Sequence, residues 1–513
     1  MKFFPLFVLL IMFSVVHGQM NLHFIEQNSV EIGIDSTFGK LQSLECIIDS
    51  IKVDYDAENN NINLSNLKPS TVFTLCATFE KNGLIEIFEK TIITKSSSSG
   101  DIEVYFNNPI DTSFRKSDYK PHGTQFGELQ IVLREVIRNA KTTIDFAAYN
   151  TNELFVVNEL IDAHNRGVRV RVITDDETSN TGWNSGVPFP IVRGNLGSGL
   201  MHNKFLIIDK DSELNSLVIT GSMNFTSNQM RSDPNHLIFI QDKSLAIGYT
   251  IEFDEMWGSN TILPNLGNAR FGANKIQNTP VNYMIGSVPV ELYFSPSDKT
   301  TSKIIDQLKK TKENILLGLM IFTNWELRDQ VVKSLQSNVP VRWIVDDDSN
   351  SAGVMQAVTL NKGEVKVHSH PDLFHHKYAI LDDSGSNPVL ITGSHNWTFS
   401  AETINDENTL VFYDQRMTNI FRQEFEARWK ELNLTSQDEI RTGKNMLIYP
   451  NPSEGMLYVD RSIVKIEIFN LLGQKLKEIN NPVSQIFFEL ANGIYIFILH
   501  TENGTFLNKV MKL

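Results

Sequence analysis

Hydrophobic and polar positions follow four successive patterns along this chain. Behind Lys2, residues Phe3 to Val16 form a single apolar run. From residue 20 to about 95 the alternation has period two, over Ser29 to Ile34, Leu41 to Ile48, Val72 to Phe79 and Ile85 to Ile93, with turn-forming residues between the runs. Side chains on a strand alternate faces, so this stretch predicts a small β-sandwich. Ser96-Ser97-Ser98-Ser99-Gly100 follows and reads as a flexible linker. From about residue 101 short apolar strands take turns with amphipathic helices. Helical spacing places Leu129, Val132, Leu133 and Val136 on one side of Glu128 to Ala140, and Ile304, Ile305 and Leu308 on one side of Ser302 to Thr311. Buried strands are predicted at Thr143 to Tyr149 and Ile315 to Phe322, with further helices at Leu154 to Asn165 and Glu326 to Gln336. Past about residue 441 the β pattern returns after the turn signal Tyr449-Pro450-Asn451-Pro452-Ser453-Glu454-Gly455, with strands at Val464 to Phe469, Gln485 to Leu490 and Ile494 to Leu499.

The middle region is written twice. Glu103-Val104-Tyr105-Phe106 matches Glu291-Leu292-Tyr293-Phe294, and Val168 to Asp176 matches Val339 to Asp347. Each copy closes on a helix with Phe and Trp four apart, Phe253 and Trp257 or Phe425 and Trp429, a spacing that makes one apolar face. Strands alternating with helices imply an α/β fold whose mostly parallel sheets are covered by helices. Two such halves suggest a pseudo-twofold arrangement, flanked by a β-sandwich at either end. The boundaries fall at 1–18, 19–96, 101–265, 285–435 and 441–513.

Chemistry concentrates in one repeated stretch. His202, Lys204 and Asp209 recur at the same spacing as His375, Lys377 and Asp382, and each set is followed by Gly-Ser-x-Asn-x-Thr. Period-two alternation projects His202 with Lys204, and His375 with Lys377, from one face of a strand. The Asp, seven residues after the His, falls on the opposite face at the far end, so Asp209 and Asp382 read as structural acids. Ser222 with Asn224, and Ser394 with Asn396, share a face just past a second strand. A phosphodiester's charge grows on its oxygens in the transition state and must be neutralised. Lys204 and Lys377 supply cations for this, and Ser222, Asn224, Ser394 and Asn396 supply neutral donors. One neutral imidazole can act as a nucleophile while the other, protonated, serves a leaving oxygen and then activates water, which suits a phosphodiester if the family resemblance of these motifs holds. Two histidines flanked by lysines are poor ligands for a hard cation, so neither metal nor cofactor is expected.

Composition narrows the setting. Lys2, the apolar run and Val16-His17-Gly18 form a signal peptide ending before Gln19. The two cysteines, Cys46 and Cys76, stand in candidate strands of the first sandwich, open to a disulfide or to two buried thiols. The formal net charge is −14, and residues 101–440 hold 31 Lys and Arg against 43 Asp and Glu. Such a balance opposes nonspecific nucleic-acid binding, although a local basic groove could survive it.

The paired His-x-Lys-x4-Asp motifs with Gly-Ser-x-Asn resemble the phospholipase D superfamily, whose members cleave phosphodiesters without a required metal. The resemblance implies a catalytic set of His202, Lys204, His375, Lys377, Asp209 and Asp382, with Ser222, Asn224, Ser394 and Asn396 on the phosphate. Many members place a carboxylate before an Asn on the strand after Gly-Ser to orient the catalytic His. Glu407-Asn408 fits in the second half, where Glu407 would support His375. In the first half the place reads Pro234-Asn235, with Asp233 one residue further back. By analogy with members whose N-terminal copy attacks, His202 is the expected nucleophile. The C-terminal stretch resembles the sorting domain of proteins exported by the type IX secretion system of Bacteroidota, through Tyr449-Pro450-Asn451-Pro452, Ile468 to Gln474, Leu490 to Tyr495 and the terminal Lys509 to Leu513. Leu67 to Phe73 resembles the turn before a late strand of fibronectin type III domains.

The function expected is therefore a secreted or cell-surface phospholipase D acting on phosphatidyl lipids through a phosphohistidine, monomeric because both motifs share one chain. The tail would engage the type IX machinery. A metal-independent endonuclease is the alternative, and a catalytically dead adhesin the third reading. Trp183, Phe189 and Phe374 are expected as exposed aromatics that could meet lipid or stack on bases.

Overall fold

Apolar runs of five or six residues are long enough for a buried strand and too short for a buried helix, and they set the two central sheets. The computed structural model describes residues 20–432 and 448–512, apart from short stretches at 35–39, 47–51, 57–60, 82–83, 195–198, 369, 450–454, 460–462, 471–473, 484 and 502–503. The expected signal peptide lies outside the described residues.

Seven strands open the chain: β1 (Met20–Ile25), β2 (Ser29–Ile34), β3 (Lys40–Cys46), β4 (Lys52–Asp56), β5 (Asn61–Ser65), β6 (Val72–Lys81) and β7 (Leu84–Ile93). They form two sheets, in the orders β1-β2-β5-β4 and β3-β6-β7. Ile32, Ile62 and Leu64 of one sheet share a core with Phe73, Leu75, Ala77 and Phe79 of the other. The β3–β6 register sets Cys46 opposite Leu75 and Cys76 opposite Glu45.

The Ser96–Gly100 stretch is not a free linker. Ser96 Oγ donates to Asp242 Oδ2 at 2.6 Å, Ser97 binds Glu213, Ser99 binds Gln241, and the backbone N–H of Lys243 donates to Ser98 Oγ. Short hydroxyls give solvent-like flexibility only while their hydrogen bonds go to water. Here a loop and a helix start supply the partners, and Ser96 is buried.

The first half contains β8 (Ile102–Phe106), α1 (Phe126–Asn139), β9 (Thr143–Ala148), α2 (Leu154–Asn165), β10 (Arg169–Asp175), β11 (Ile191–Gly194), β12 (Lys204–Ile208), β13 (Leu217–Gly221), α3 (Ser227–Arg231), β14 (His236–Ile240) and α4 (Lys243–Trp257). The second contains β15 (Asn282–Ile285), β16 (Val288–Ser295), α5 (Thr300–Lys310), β17 (Ile315–Leu319), α6 (Trp325–Gln336), β18 (Val341–Val345), α7 (Asp348–Leu360), β19 (Glu364–Val367), β20 (Lys377–Leu381), β21 (Val389–Gly393), α8 (Phe399–Thr403), β22 (Glu407–Phe412) and α9 (Gln415–Glu431). The sheet orders are β11-β10-β9-β12-β13-β14-β8 and β15-β16-β22-β21-β20-β17-β18-β19, the same plan with one added edge strand.

The sheets are mixed rather than mostly parallel. Only β9, β10 and β11, and likewise β17, β18 and β19, pair in parallel; the remaining ladders are antiparallel. Parallel neighbours need a long crossover, which α2 and α6 provide. The motif strands β12 and β13, and β20 and β21, are joined by loops too short for a crossover, and β14 and β22 also return antiparallel after the short helices α3 and α8. On α1 the buried stripe is Phe126, Leu129, Leu133 and Ile137, with Val132 and Val136 half-buried at its edge.

One apolar core joins the halves. It includes Phe205 and Ile207 of β12, Ile238 of β14, Tyr378 and Ile380 of β20, and Phe412 of β22. Helices α4 and α9 deliver Phe253, Trp257, Phe425 and Trp429 to the same core. The tail adds β23 (Ile448–Tyr449), β24 (Met456–Val459), β25 (Ile463–Phe469), β26 (Lys475–Asn480), β27 (Gln485–Phe487), β28 (Gly493–Thr501) and β29 (Gly504–Lys512). These form two sheets, β23-β24-β27 and β26-β25-β28-β29, around Leu457, Ile466, Ile468, Phe497 and Leu499. Among the described residues no helix is long and apolar enough to cross a membrane.

Asp242 both caps α4, accepting from Leu245 N at 2.8 Å, and holds Ser96. Asp242→Ala is expected to lower the unfolding free energy by about 2–3 kcal/mol in a urea titration, through one lost cap and one orphaned buried hydroxyl. The same variant should open the 96–100 stretch to limited proteolysis, which wild type resists.

Candidate active site

The central strands β12 and β20 aim the two motifs at each other. His202 and Lys204 lie at the start of β12, and His375 and Lys377 at the start of β20. The approach to each is fixed by an acid at or just past the end of the strand next but one: Asp175 accepts from Met201 N at 2.9 Å, and Asp346 from Phe374 N at 2.6 Å. The opposite half then takes hold of the backbone. His202 N donates to Asp406 O at 3.0 Å, and His375 N to Pro234 O at 3.1 Å. Each lysine Nζ donates to the carbonyl of its own histidine, at 2.8 Å for Lys204 and 2.9 Å for Lys377. His202 is 7% exposed and His375 4%, so the reacting groups stand in a narrow slot.

The imidazoles have unequal partners, and each partner comes from the other half. His202 Nδ1 lies 2.8 Å from Glu407 Oε1 and 2.9 Å from Oε2, while His375 Nδ1 lies 3.1 Å from Asn235 Oδ1. The expectation that Glu407 supports His375 is thus corrected: Glu407 reaches across to His202. Strand register explains the equivalence. Gly221 pairs with Leu237 and Gly393 with Thr409, so Asn235 and Glu407 occupy matching places, as do His236 and Asn408. Asp233 takes no part at His202; it accepts from Leu373 N at 3.2 Å.

Burial dominates the electrostatics. It pushes His202 down to about 4 against the pull of Glu407, with Lys204 and Lys377 lowering it further. Burial also brings Lys204 down to about 7. His375 is held well below its ordinary value by burial and then by Lys377, Lys204 and His202, and Lys377 by burial and Lys204. Burial alone would raise the Glu407 carboxyl, but His202 and Lys204 outweigh it and hold it below its usual value. Two lysines and two imidazoles thus share one close carboxylate. An arriving anion would relieve all four.

The remaining motif residues divide into two groups. Ser222 and Ser394 are fully buried and bind the opposing strand ends: Ser222 Oγ donates to Asn235 Oδ1 at 2.9 Å, and Ser394 Oγ accepts from Asn408 N at 3.0 Å. They organise the partners of the histidines rather than facing the slot. Asn224 and Asn396 keep a buried side-chain oxygen without a hydrogen-bond partner. Asp209 and Asp382 stand at the far ends of their strands. The Asp209 carboxylate accepts from the backbone of Lys141, Thr142 and Thr143, and Asp382 from Lys312 and Glu313, so neither touches the imidazoles.

Sequence reasoning missed Asn235, which only the strand register reveals, and Tyr149, whose ring lies 4.7 Å from that of His202 and 5.1 Å from Lys204 Nζ. Trp183, Phe189 and Phe374 are buried rather than exposed. Trp183 packs edge-on to Phe146, Phe189 to His164, and Phe374 lies against His376. Exposed apolar side chains near the motifs are instead Leu373, Trp325, Phe399 and Ile404. Among the described residues no group of three His, Cys, Asp or Glu is placed to hold a metal ion.

Comparison with known proteins finds the same two halves. The cardiolipin synthase, PLD-like domain family matches twice, at residues 133–257 and 304–429, one match on each half. The mitochondrial cardiolipin hydrolase of Drosophila melanogaster is 31% identical over 219 residues, 39% of this chain and 82% of that protein. The chain belongs to the phospholipase D superfamily. The mitochondrial cardiolipin hydrolase of Canis lupus familiaris is 35% identical over 140 residues, and there this superfamily member covers 27% of itself and only 54% of the relative. The solved phosphatidylserine synthase of Haemophilus influenzae superposes with a TM-score of 0.45 at 15% identity, over 67% of this chain and 87% of that one. Residues 447–512 match the secretion system C-terminal sorting domain, so the phospholipase D-like halves carry a type IX secretion tail.

Glu407 raises the proton affinity of His202. Glu407→Gln should therefore lower the His202 pKa further, read by NMR titration, and cut turnover by about 10³-fold, as loss of an orienting carboxylate does elsewhere. Asn235→Ala should cost less, about 10- to 100-fold, because a neutral amide orients without charge.

Proposed function

We propose that the chain is an exported phosphodiesterase that cleaves phosphatidyl lipids through a covalent phosphohistidine on His202. The observation that carries this reading is the inequality of the two imidazole partners. A carboxylate on Nδ1 makes His202 the more basic and nucleophilic ring, with Nε2 free to attack. A neutral amide on His375 fixes its orientation without stabilising the imidazolium, which leaves it the better acid.

In the first step His202 Nε2 bonds to phosphorus and the bond to the headgroup oxygen breaks. His375 Nε2–H gives its proton to that oxygen. In the second, His375 takes a proton from water, the water oxygen bonds to phosphorus, and the P–N bond breaks to release the phosphatidate. Lys204 and Lys377, with the side chains of Asn224 and Asn396, neutralise the non-bridging oxygens. Ser222 and Ser394 hold the partners of the histidines, and Asp209 and Asp382 tie down the strand ends.

Lipid is favoured over nucleic acid on charge and on the apolar surroundings. The acidic balance offers a polyanion little counterion release. Leu373 stands two residues before His375, and Trp325 and Phe399 begin α6 and α8, whose loops meet where Thr323 N and Asn324 N donate to Trp397 O. Relatives named cardiolipin hydrolase, and a Rickettsia prowazekii protein named phospholipase D at 32% identity, point the same way. The reciprocal contacts of His202 and His375 support a pseudo-twofold axis between the halves, and a monomer suffices because one chain supplies both. The N-terminal sandwich fits a fibronectin type III-like adhesion or spacer unit, and the tail addresses the protein to the medium or the cell surface.

The deciding experiment offers the full chain phosphatidylcholine, cardiolipin, single-stranded DNA and RNA, with EDTA present. Lipid cleavage that survives EDTA is expected. Cleavage of nucleic acid alone would favour the endonuclease, no cleavage at all the dead adhesin, and loss restored by one divalent ion would sink the metal-free chemistry. His375→Ala with a nitrophenyl phosphodiester should trap acid-labile phosphate on His202, seen by mass spectrometry, whereas His202→Ala should show none.

The pH profile follows from the same shifts. His202 must be neutral and, held near 4, remains so above about pH 5. His375 must be protonated, and its lowered value means that protonation is lost as pH rises towards neutrality. The form with His202 neutral and His375 protonated is therefore favoured on the acid side of neutrality, and kcat/KM is expected to fall along an alkaline limb that vanishes for the nitrophenyl substrate. An optimum above pH 8 would overturn the assignment of roles.

A further inference from the structure

Behind the two motif imidazoles, matching positions of the two halves hold different side chains. Behind His202 lies an amide pair: Asn408 Nδ2 donates to Asn203 Oδ1 at 3.0 Å, Thr220 Oγ1 donates to Asn408 Oδ1 at 3.0 Å, and Asn203 Nδ2 reaches Glu252 at 3.3 Å. The matching positions behind His375 hold two more imidazoles. His236 Nδ1 lies 3.0 Å from His376 Nδ1, with the rings nearly parallel at 11°. Thr392 Oγ1 lies 2.7 Å from His236 Nε2, and Glu424 Oε1 lies 3.1 Å from His376 Nε2. Both rings are buried, at 0% and 1% exposure.

The pair connects to the active site. Ser222 Oγ lies 3.1 Å from His236 Nδ1 and 2.9 Å from Asn235 Oδ1, the acceptor that faces His375 Nδ1 at 3.1 Å beside Lys377 Nζ at 3.2 Å. Hydrogen positions follow from the partners. The Glu424 carboxylate is an acceptor, so His376 Nε2 carries a hydrogen. Two Nδ1 atoms 3.0 Å apart share one hydrogen. With both rings neutral it belongs to His236, whose Nε2 then accepts from Thr392. His236 Nδ1–H also faces Ser222 Oγ, so the Ser222 hydroxyl turns to donate to Asn235 Oδ1. One added proton reverses the chain: His376 becomes the donor, His236 Nδ1 becomes an acceptor, and the Ser222 hydroxyl is free to turn away from Asn235.

We propose that His236 and His376 are positioning residues for His375. They set the direction of the Ser222 hydroxyl, and through Asn235 they fix the His375 ring with Nδ1 protonated and Nε2 turned to the substrate. The inference rests on the reading of His375 as the acid. The groups facing the pair are Lys377 and Tyr378 from β20, Glu424 and Arg428 from α9, and Thr392 from β21, with the rings of Phe106 and Phe421 closing the site. Burial first, and then Lys377 and the neighbouring imidazole, hold His236 well below its ordinary value. Burial also lowers His376 against the pull of Glu424. The neutral, donating state of the chain is thus the resting one at neutral pH.

The molecule supplies its own control, because His236→Asn with His376→Asn copies the pair that the other half already carries. In the full chain this double variant should lower turnover of a phosphatidyl lipid about tenfold, part of the roughly 10²–10⁴-fold a general acid contributes. It should also shift the alkaline limb of kcat/KM by more than about half a pH unit. The nitrophenolate burst, which reports attack by His202, should change by less than about twofold, since that leaving group needs no proton. A superimposable pH profile, or an equal fall in burst and lipid turnover, would overturn the inference. So would side-chain ¹⁵N NMR of the wild type showing His236 protonated at Nε2 at pH 7, a measurement that stands even if the double variant does not fold. If His375→Ala leaves the alkaline limb in place, it is the acid assignment that fails. If His375→Ala removes the limb and the double variant does not move it, only the present inference fails.

Discussion

Each motif imidazole takes its orienting partner from the other half of the chain, and the rest of the site follows from that exchange. His202 leans on Glu407 and His375 on Asn235, while the backbones of Asp406 and Pro234 grip the same histidines. Neither half alone supplies both a motif imidazole and its partner. The shared core beneath, with Phe253 and Trp257 on one side and Phe425 and Trp429 on the other, resists separation of the halves by burying large apolar surface.

Fusing two like halves into one chain also frees them to differ. In a symmetric pair of identical halves every position would be the same twice, and both histidines would have the same partner. Here Glu407 answers to Asn235, Asn408 to His236 and Asn203 to His376, while the matched donors Thr220 and Thr392 are kept. These differences fall within a few residues of the two imidazoles, where the proposed double displacement needs unlike proton affinities.

Much of this was legible in the sequence because it is local. Period-two alternation put each His and Lys on one face, the seven-residue offset placed Asp209 and Asp382 away from the chemistry, and the Phe–Trp spacing marked the core helices. The parallel-sheet expectation failed because alternation of strands and helices does not reveal which connections are too short for a crossover. The partner of His202 is 205 residues away, and that of His375 is 140 residues away. Such pairings come from sheet register across the seam, which no local pattern encodes. The serine run misled for a related reason: serine is compatible with solvent and with buried acceptors alike, and only Asp242, Glu213 and Gln241 decide which it meets.

That serine run gives the N-terminal sandwich a fixed bearing. Ser70 and Thr94 add hydrogen bonds to Ser244, so the contact extends from the serines into the sandwich itself. A tethered module on a flexible string samples a cloud of positions around its enzyme. A module docked through several adjacent hydrogen bonds holds one direction, like a gunsight fixed to its barrel. The sandwich and the pair of His202 and His375 therefore keep one direction relative to each other, so anything held by the first meets the second from a fixed side.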